Sequence, residues 1–383
     1  ATIGIAKENG KPMFLPSIMK HFPTLSPADA LTYAPATGRP DLRSKWKNLL
    51  KSKNPGLSGK KFSTPAVTSG VTHALNLVGD LFVNEDDVIL LPDMYWENYD
   101  LLFNVRYQAE LKLYPFFNDN GGFDTEKFAE ALSKRPAGSK TIIILNFPNN
   151  PTGYSVTRNE AAKITAILKE NADRGCDIIA VTDDAYFGLF YNDDVLQESI
   201  FAHIADLHPR ILAIKVDGPT KEQFVWGFRT GMLTFSAKAN SNTDALYAAL
   251  DKKVSGAIRS AISNCSQPVQ SVLAKELGSE ALDAEHDEKR DILESRAKKA
   301  MEILASTDFS DVWEPYPFNA GYFMCLKLKS INAEAFRTHL LNEYGIGVIA
   351  NGDTDIRVAF SAVEIGELQE LYETMAKAAR ELK

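Results

Sequence analysis

Residues 141–153 read TIIILNFPNNPTG, and the break in the middle of this stretch sets the architecture. Thr141 to Asn146 form a run rich in β-branched residues with no polar alternation, the pattern of a strand buried on both faces of a parallel sheet. The residues that follow hold two prolines, two asparagines and a glycine, which end the strand in a turn containing Asn150. The same pairing of a run with a polar break recurs in DVILLP (87–92), DIIAVT (177–182), ILAIKV (211–216) and GMLTFS (231–236). Helical patterns lie between the runs. VTHALNLVGDLFV (71–83) places Val71, Ala74, Leu75, Val78, Leu81 and Phe82 on one face, and Thr157 with Glu160 has capping-box spacing ahead of a helix through Ile164, Ile167 and Leu168 to Gly175. This alternation over roughly residues 65–240 predicts an α/β class with a mostly parallel sheet wrapped by helices.

A charged helix, DEKRDILESRAKKAMEILAS (287–306), reads as a connector to a differently organised tail. There a strand is expected around GYFMCLKL (321–328), then a helix ending at Gly345, short strands at IGVIA (346–350) and DIRVAFS (355–361), and an amphipathic helix with Leu368, Leu371, Met375 and Leu382. The expected division is therefore an N-terminal segment (1–30) packing with the small domain, a large domain (31–286) and a small C-terminal α+β domain (287–383).

Composition limits the functions available. The 383 residues are 45% hydrophobic and 24% charged, ordinary for a soluble globular chain. Net charge is −8 with no basic block, which argues against nucleic acid as a partner, and no apolar run is long enough to span a bilayer. Cys176, Cys265 and Cys325 are odd in number and widely spaced, so they are read as reduced thiols in a cytoplasmic protein with no metal site. No signal-peptide pattern opens the sequence, which starts at Ala1 rather than Met, and an upstream arm is expected to be missing.

In open parallel sheets, ligands sit beyond the carboxyl ends of the strands, and those positions here carry chemistry. Asn150 follows the run at 141–146, Asp183 and Tyr186 follow 177–182, and DGPTKEQFVWGFRTG (217–231), with Thr220, Lys221 and Arg229, follows 211–216. Ser69, with the N–H groups of Gly70 and Val71, stands at the start of the 71–83 helix. Singly, Asn150 is a turn former, Asp183 a cap, Tyr186 a half-buried aromatic and Ser69 an N-cap. Together they meet the needs of one ligand. A helix N-terminus with Ser69, Thr220 and Arg229 suits a phosphate, Lys221 suits a Schiff base, and Asp183 suits a protonated ring nitrogen. That set describes pyridoxal 5'-phosphate.

The chain resembles the aspartate aminotransferase family of fold type I pyridoxal-phosphate enzymes along nearly its whole length. The motifs that carry the resemblance are Asn150 to Gly153, Asp183 to Tyr186, and Lys221 followed by Gly227, Arg229 and Gly231. It implies a seven-stranded, mostly parallel sheet, a homodimer with shared active sites, and amino transfer between an L-amino acid (aspartate/glutamate or aromatic) and a 2-oxo acid by a ping-pong route. A β-elimination lyase or related synthase is the alternative. YAPATGRPDLR (33–43) resembles the segment whose tyrosine, here Tyr33, reaches the partner's cofactor phosphate; otherwise Tyr33 is a surface aromatic. In MYWENY (94–99) the resemblance makes Trp96 the aromatic that stacks on the cofactor and borders substrate, with Tyr95 or Tyr99 as the other choices. Arg357 takes the position that binds the substrate carboxylate, beside Asn150. Arg259 resembles the arginine that reaches a distal carboxylate across the dimer; otherwise it is a solvated helix charge. The resemblance gives Lys221 the roles of covalent anchor and base, has Asp183 keep the ring nitrogen charged, and places Asn150 and Tyr186 on the ring's phenolic oxygen. Three positions depart from it. Gly218 stands where a phosphate-binding hydroxyl is usual, so a water or another side chain is expected there, Val71 replaces a frequent small polar residue, and Tyr99 stands where some members carry a histidine against the pyridine-binding aspartate.

Overall fold

The computed structural model describes residues 1–2, 4–239 and 242–383. Its larger sheet is built from β1 (Ala66–Thr68), β2 (Val88–Pro92), β3 (Glu110–Tyr114), β4 (Lys140–Asn146), β5 (Asp177–Asp183), β6 (Ile211–Asp217) and β7 (Gly231–Ala237). The spatial order is β1-β7-β6-β5-β4-β2-β3, and only β7 runs against its neighbours. Five of the seven strands are those read from apolar runs. The other two carry weaker signals: β1 has three residues, and β3 (ELKLY) is an edge strand with Glu110, Lys112 and Leu113 exposed.

Strand alternation splits the core into two layers. Ile142 and Ile144 of β4 pack on one face of the sheet, and Ile143 and Leu145 pack on the other, all at most 1% exposed. At roughly 1.5–3 kcal/mol for each fully buried aliphatic side chain, such a strand contributes enough to fix its own register. The helices that cover these faces include α1 (Pro40–Lys53), α2 (Val71–Phe82), α3 (Arg158–Asp173), α4 (Pro219–Glu222) and α5 (Thr243–Ala261). The box at the start of α3 forms in both directions: the Thr157 hydroxyl accepts from the Glu160 amide at 3.2 Å, and Glu160 Oε2 accepts from the Thr157 amide at 2.7 Å.

A 25-residue helix, α6 (Leu282–Ser306), begins five residues before the expected charged stretch and leads to a second sheet. That sheet is antiparallel, in the order β8 (Trp313–Pro315), β9 (Met324–Leu328), β11 (Asp355–Val358) and β10 (Ile349–Asn351). It packs with α7 (Ala333–Tyr344), which ends at Gly345 in the left-handed conformation, and with α8 (Leu368–Glu381). The two sheets are distinct in topology, one mostly parallel and one antiparallel.

Lys221 lies on a single helical turn, α4, between β6 and β7. Pro219 at its first position fixes φ in the helical range and has no N–H to leave unsatisfied. Because β7 is antiparallel, it starts at the edge where β6 ends, so Arg229 and Lys221 meet at the same rim of the sheet.

Candidate active site

The carboxyl ends of β4, β5 and β6 border a cavity of about 310 Å3. Nine of the residues singled out above line it: Val71, Trp96, Asn150, Asp183, Tyr186, Thr220, Lys221, Arg229 and Arg357. Asn146, the last residue of β4, ties two of them in place. Its side-chain N–H donates to the Asp183 carbonyl and its oxygen accepts from the Asn150 amide, both at 2.8 Å.

Asp183 is 2% exposed and accepts from the Tyr99 hydroxyl at 2.7 Å and from the Ala185 amide at 3.1 Å. Burial pushes its carboxyl above the ordinary range, while the Tyr99 hydrogen bond and the Lys221 charge pull the other way. The residue at position 99 therefore does touch the aspartate, as a phenol in place of an imidazole. Buried and bonded to Asp183, Tyr99 is not among the lining residues, and Tyr95 is turned to Asp100; of the three aromatics Trp96 lines the cavity.

Lys221 is the cation nearest Asp183 in effect, and its amine forms no ion pair among the described residues. Burial lowers its pKa from 10.5 to about 8, Arg229 pushes in the same direction, and Asp183 opposes them. The amine lies 4.8 Å from the centre of the Tyr186 ring, and the Tyr322 hydroxyl donates to the Lys221 carbonyl at 2.9 Å. Arg229 adopts a left-handed conformation (φ 49°), which is rare away from glycine, and it too has no carboxylate partner among the described residues.

The start of α2 explains where Arg229 goes. Gly70 is the N-cap with φ 83°, and no side chain caps the helix, so its first N–H groups are left to other acceptors. A Cβ on Gly70 would lie 2.6 Å from Arg229 Nη2, so the bare α-carbon is what lets the guanidinium rest against the helix start. Ser69 stands beside this point, its amide donating to His73 Nδ1 at 3.0 Å; neither Ser69 nor Gly70 lines the cavity itself. Thr220 donates to the Thr230 carbonyl at 3.3 Å. A Cβ on Gly218 would lie 2.8 Å from the Thr230 oxygen and 2.9 Å from the Gly231 α-carbon, so backbone packs closely against its α-carbon.

On the opposite wall, Arg357 Nη1 donates to Asn150 Oδ1 at 2.9 Å and Nη2 to the Thr2 carbonyl at 3.3 Å, while Nε has no acceptor among the described residues. The guanidinium lies 4.2 Å from the centre of the Phe323 ring. Two predicted residues lie outside the cavity of their own chain. Tyr33 is 90% exposed, and Arg259 is exposed on α5, where it touches Ser263. A second depression, of about 360 Å3, has its cation already matched, since Arg43 pairs with Asp251.

The sequence pattern of the aminotransferase class I and II family matches residues 5–375. The chain belongs to that family. It is 28% identical over 217 residues to an aspartate aminotransferase of Bacillus sp. (strain YM-2), covering 55% of this chain and 51% of the relative. It is 25% identical to a glutamate-pyruvate aminotransferase of Haemophilus influenzae, covering 46% and 41%. The chain thus spans about half the length of the sequence relatives it matches. In fold it is similar to an aminotransferase from Anaerococcus prevotii (TM-score 0.85, 22% identity, 100% and 90% coverage). It is also similar to an aromatic aminotransferase from Pyrococcus horikoshii (TM-score 0.80, 18% identity, 99% and 95%).

Members of this aminotransferase family use pyridoxal phosphate, and the donor set fits that group. Two cations without carboxylate partners among the described residues, an uncapped helix start and a buried carboxylate answer an anionic group at one end and a cationic ring nitrogen at the other. Sequence reasoning missed Thr72, Asn146, Trp226, Gly4, Ile5 and Phe323, all of which line the cavity. The first three were within reach, at a helix start, a strand end and between Lys221 and Arg229. Gly4, Ile5 and Phe323 come from distant parts of the chain and carry no local signal.

Proposed function

We propose that the protein is a pyridoxal-phosphate-dependent aminotransferase that moves an amino group between an L-amino acid and a 2-oxo acid. The observation that carries this reading is the convergence of Lys221, Asp183, Arg229 and Arg357 on one cavity, with both Lys221 and Arg229 lacking carboxylate partners among the described residues. Ser69, Thr220, Arg229 and the free N–H groups of Gly70 and Val71 would hold the phosphate. Asp183, backed by Tyr99, would hold the ring nitrogen's proton, while Asn150 and Tyr186 would face the phenolic oxygen, and Trp96 would border the ring and substrate. When bound, the coenzyme supplies an electron sink beside the substrate's α-carbon.

The chain's own residues then divide the work. Arg357, already paired with Asn150, grips the substrate carboxylate and orients the α-carbon. Lys221 Nζ would take the proton from the substrate's α-carbon and hold it as an ammonium until it is returned to carbon. An amine held at about 8 keeps roughly one-tenth of itself neutral at pH 7, far more than an ordinary lysine.

We further propose a homodimer of cytoplasmic protein in which Tyr33 and Arg259 serve the partner's site, a reading supported by their exposure outside their own cavity. The division into residues 1–30, 31–286 and 287–383 is proposed with it, supported by the two separate sheets. No helix among the described residues is long and apolar enough to cross a membrane. The substrate is taken to be aspartate or glutamate where the partner's Arg259 reaches the distal carboxylate, and an aromatic amino acid otherwise; Arg259→Ala should then weaken aspartate far more than phenylalanine.

The test is direct. The protein loaded with pyridoxal phosphate is mixed with each amino acid in turn, the loss of its yellow colour is followed, and a 2-oxo acid is added to restore it. Release of ammonia and keto acid without an acceptor would identify a β-elimination lyase instead. A protein that takes up no colour would sink the proposal.

A further inference from the structure

On the face of the sheet opposite the cavity lies a cluster of charges that the reaction does not use. Alternation along β5 turns Asp183 to the cavity and Asp184, just past the strand, to the other face; along β6, Lys215 and Asp217 turn to that same far face with Ala213. Lys215 is 0% exposed, Asp184 2% and Asp217 4%. The Lys215 amine pairs with Asp184 Oδ2 and lies 3.5 Å from Asp217 Oδ2. Ser199 donates to Asp184 Oδ2 at 2.5 Å and Trp46 to Asp217 Oδ2 at 3.2 Å, while Asp217 Oδ1 has no partner among the described residues. Beside them, Glu222, next to Lys221 in α4, pairs with Lys53 of α1.

Charges buried this deeply are costly, and a well-packed aliphatic cluster would hold the same elements together as well or better. What an aliphatic cluster lacks is direction. The amine is fixed between two carboxylates, one immediately after Asp183 and the other four residues before Lys221. The Asp184 amide also donates to the Val216 carbonyl at 2.9 Å, so the two strand ends are joined through backbone and side chain together.

We propose that Lys215 is a positioning residue: held between Asp184 and Asp217 behind the sheet, it fixes the two strand ends from which Asp183 and Lys221 project. This inference rests on the function proposed above, because the bound coenzyme is its reporter.

The decisive variant removes the whole charge set, Lys215→Met with Asp184→Asn and Asp217→Asn, so that no buried charge is left unpaired. Wild type and variant are stripped of coenzyme and compared by thermal unfolding. They are then reloaded with pyridoxal phosphate, and its affinity and the pH midpoint of its bound absorbance are measured. The expected result is an unfolding midpoint close to wild type, coenzyme affinity lower by about tenfold or more, and a displaced absorbance midpoint, since a misplaced hydrogen bond to a charged group weakens binding by about tenfold or more. Unchanged affinity and unchanged absorbance midpoint in a folded variant overturn the inference. Should the triple variant not fold, Asp217→Asn alone, which keeps the Lys215–Asp184 pair, is read by the same two measurements with the same criterion. A wild-type protein that binds no coenzyme refutes the proposed function; a coloured wild type with indistinguishable variants refutes only the role of Lys215.

Discussion

Replacing Lys221 by Met keeps an unbranched side chain of similar length in the cavity and removes its buried amine. In the folded chain that amine is held at about 8, against an ordinary 10.5, mainly by burial. The gap of roughly 2.5 units, at about 1.4 kcal/mol per unit, is a burden of about 3 kcal/mol on the folded state without coenzyme. The pH dependence follows from where each state holds the proton. Below about 8 both folded and unfolded chains carry it and the burden is complete. Between about 8 and 10.5 the folded chain has released it while the unfolded chain has not, so stability rises with pH. Above 10.5 both are neutral and the burden is gone. Coenzyme-free Lys221→Met should therefore be more stable than wild type by about 3 kcal/mol near pH 7, with the difference closing toward pH 10.5. Urea unfolding of both proteins across that range measures it, and the variant should show no turnover. Equal stability near neutrality, or a difference independent of pH, would refute the reasoning.

Tyr99→Phe removes a hydrogen bond to a charged acceptor, worth about 1.5–3 kcal/mol, so coenzyme affinity should fall roughly 10- to 100-fold as the Asp183 carboxyl rises; an absorbance titration showing wild-type affinity would count against it. Gly218→Ser restores the hydroxyl usual in the family, yet its Cβ would lie 2.8 Å from the Thr230 oxygen, so the unfolding free energy should drop by about 1–3 kcal/mol with no gain in coenzyme affinity. A more stable or tighter-binding serine variant would show that the backbone there yields easily. Arg357→Lys keeps the charge but loses the fork that reaches Asn150 and a carboxylate together, so KM for the amino acid should rise about 10-fold or more while coenzyme affinity stays unchanged. A loss of coenzyme affinity would place Arg357 at the wrong ligand.

Much of the fold was legible because its signals are local. Ile142 to Leu145 must be buried on both faces whatever surrounds them, and Thr157 with Glu160 needs only one helical turn to form its box. Lys221 and Arg229 were legible as a pair for a similar reason: eight residues separate the end of one strand from the start of its neighbour closely enough that both face one rim. The edge strand Glu110–Tyr114 was not legible, because a strand with one solvated side loses the apolar run that marks the central ones.

By itself the sequence determined which residues could carry chemistry and the strand ends at which they stand. The tertiary structure decided which of them touch. Arg357 meets Asn150 across 207 positions, Tyr99 reaches Asp183 across 84, and the backbone of Thr230 and Gly231 closes on Gly218; none of these contacts follows from spacing. It also decided that Lys215, which reads as one polar residue in an apolar run, belongs to a buried charge set behind the site. The physical reason is that local patterns depend on turn geometry and side-chain period alone. A contact between distant residues depends on the order in which the strands assemble, which is settled by packing of the whole sheet.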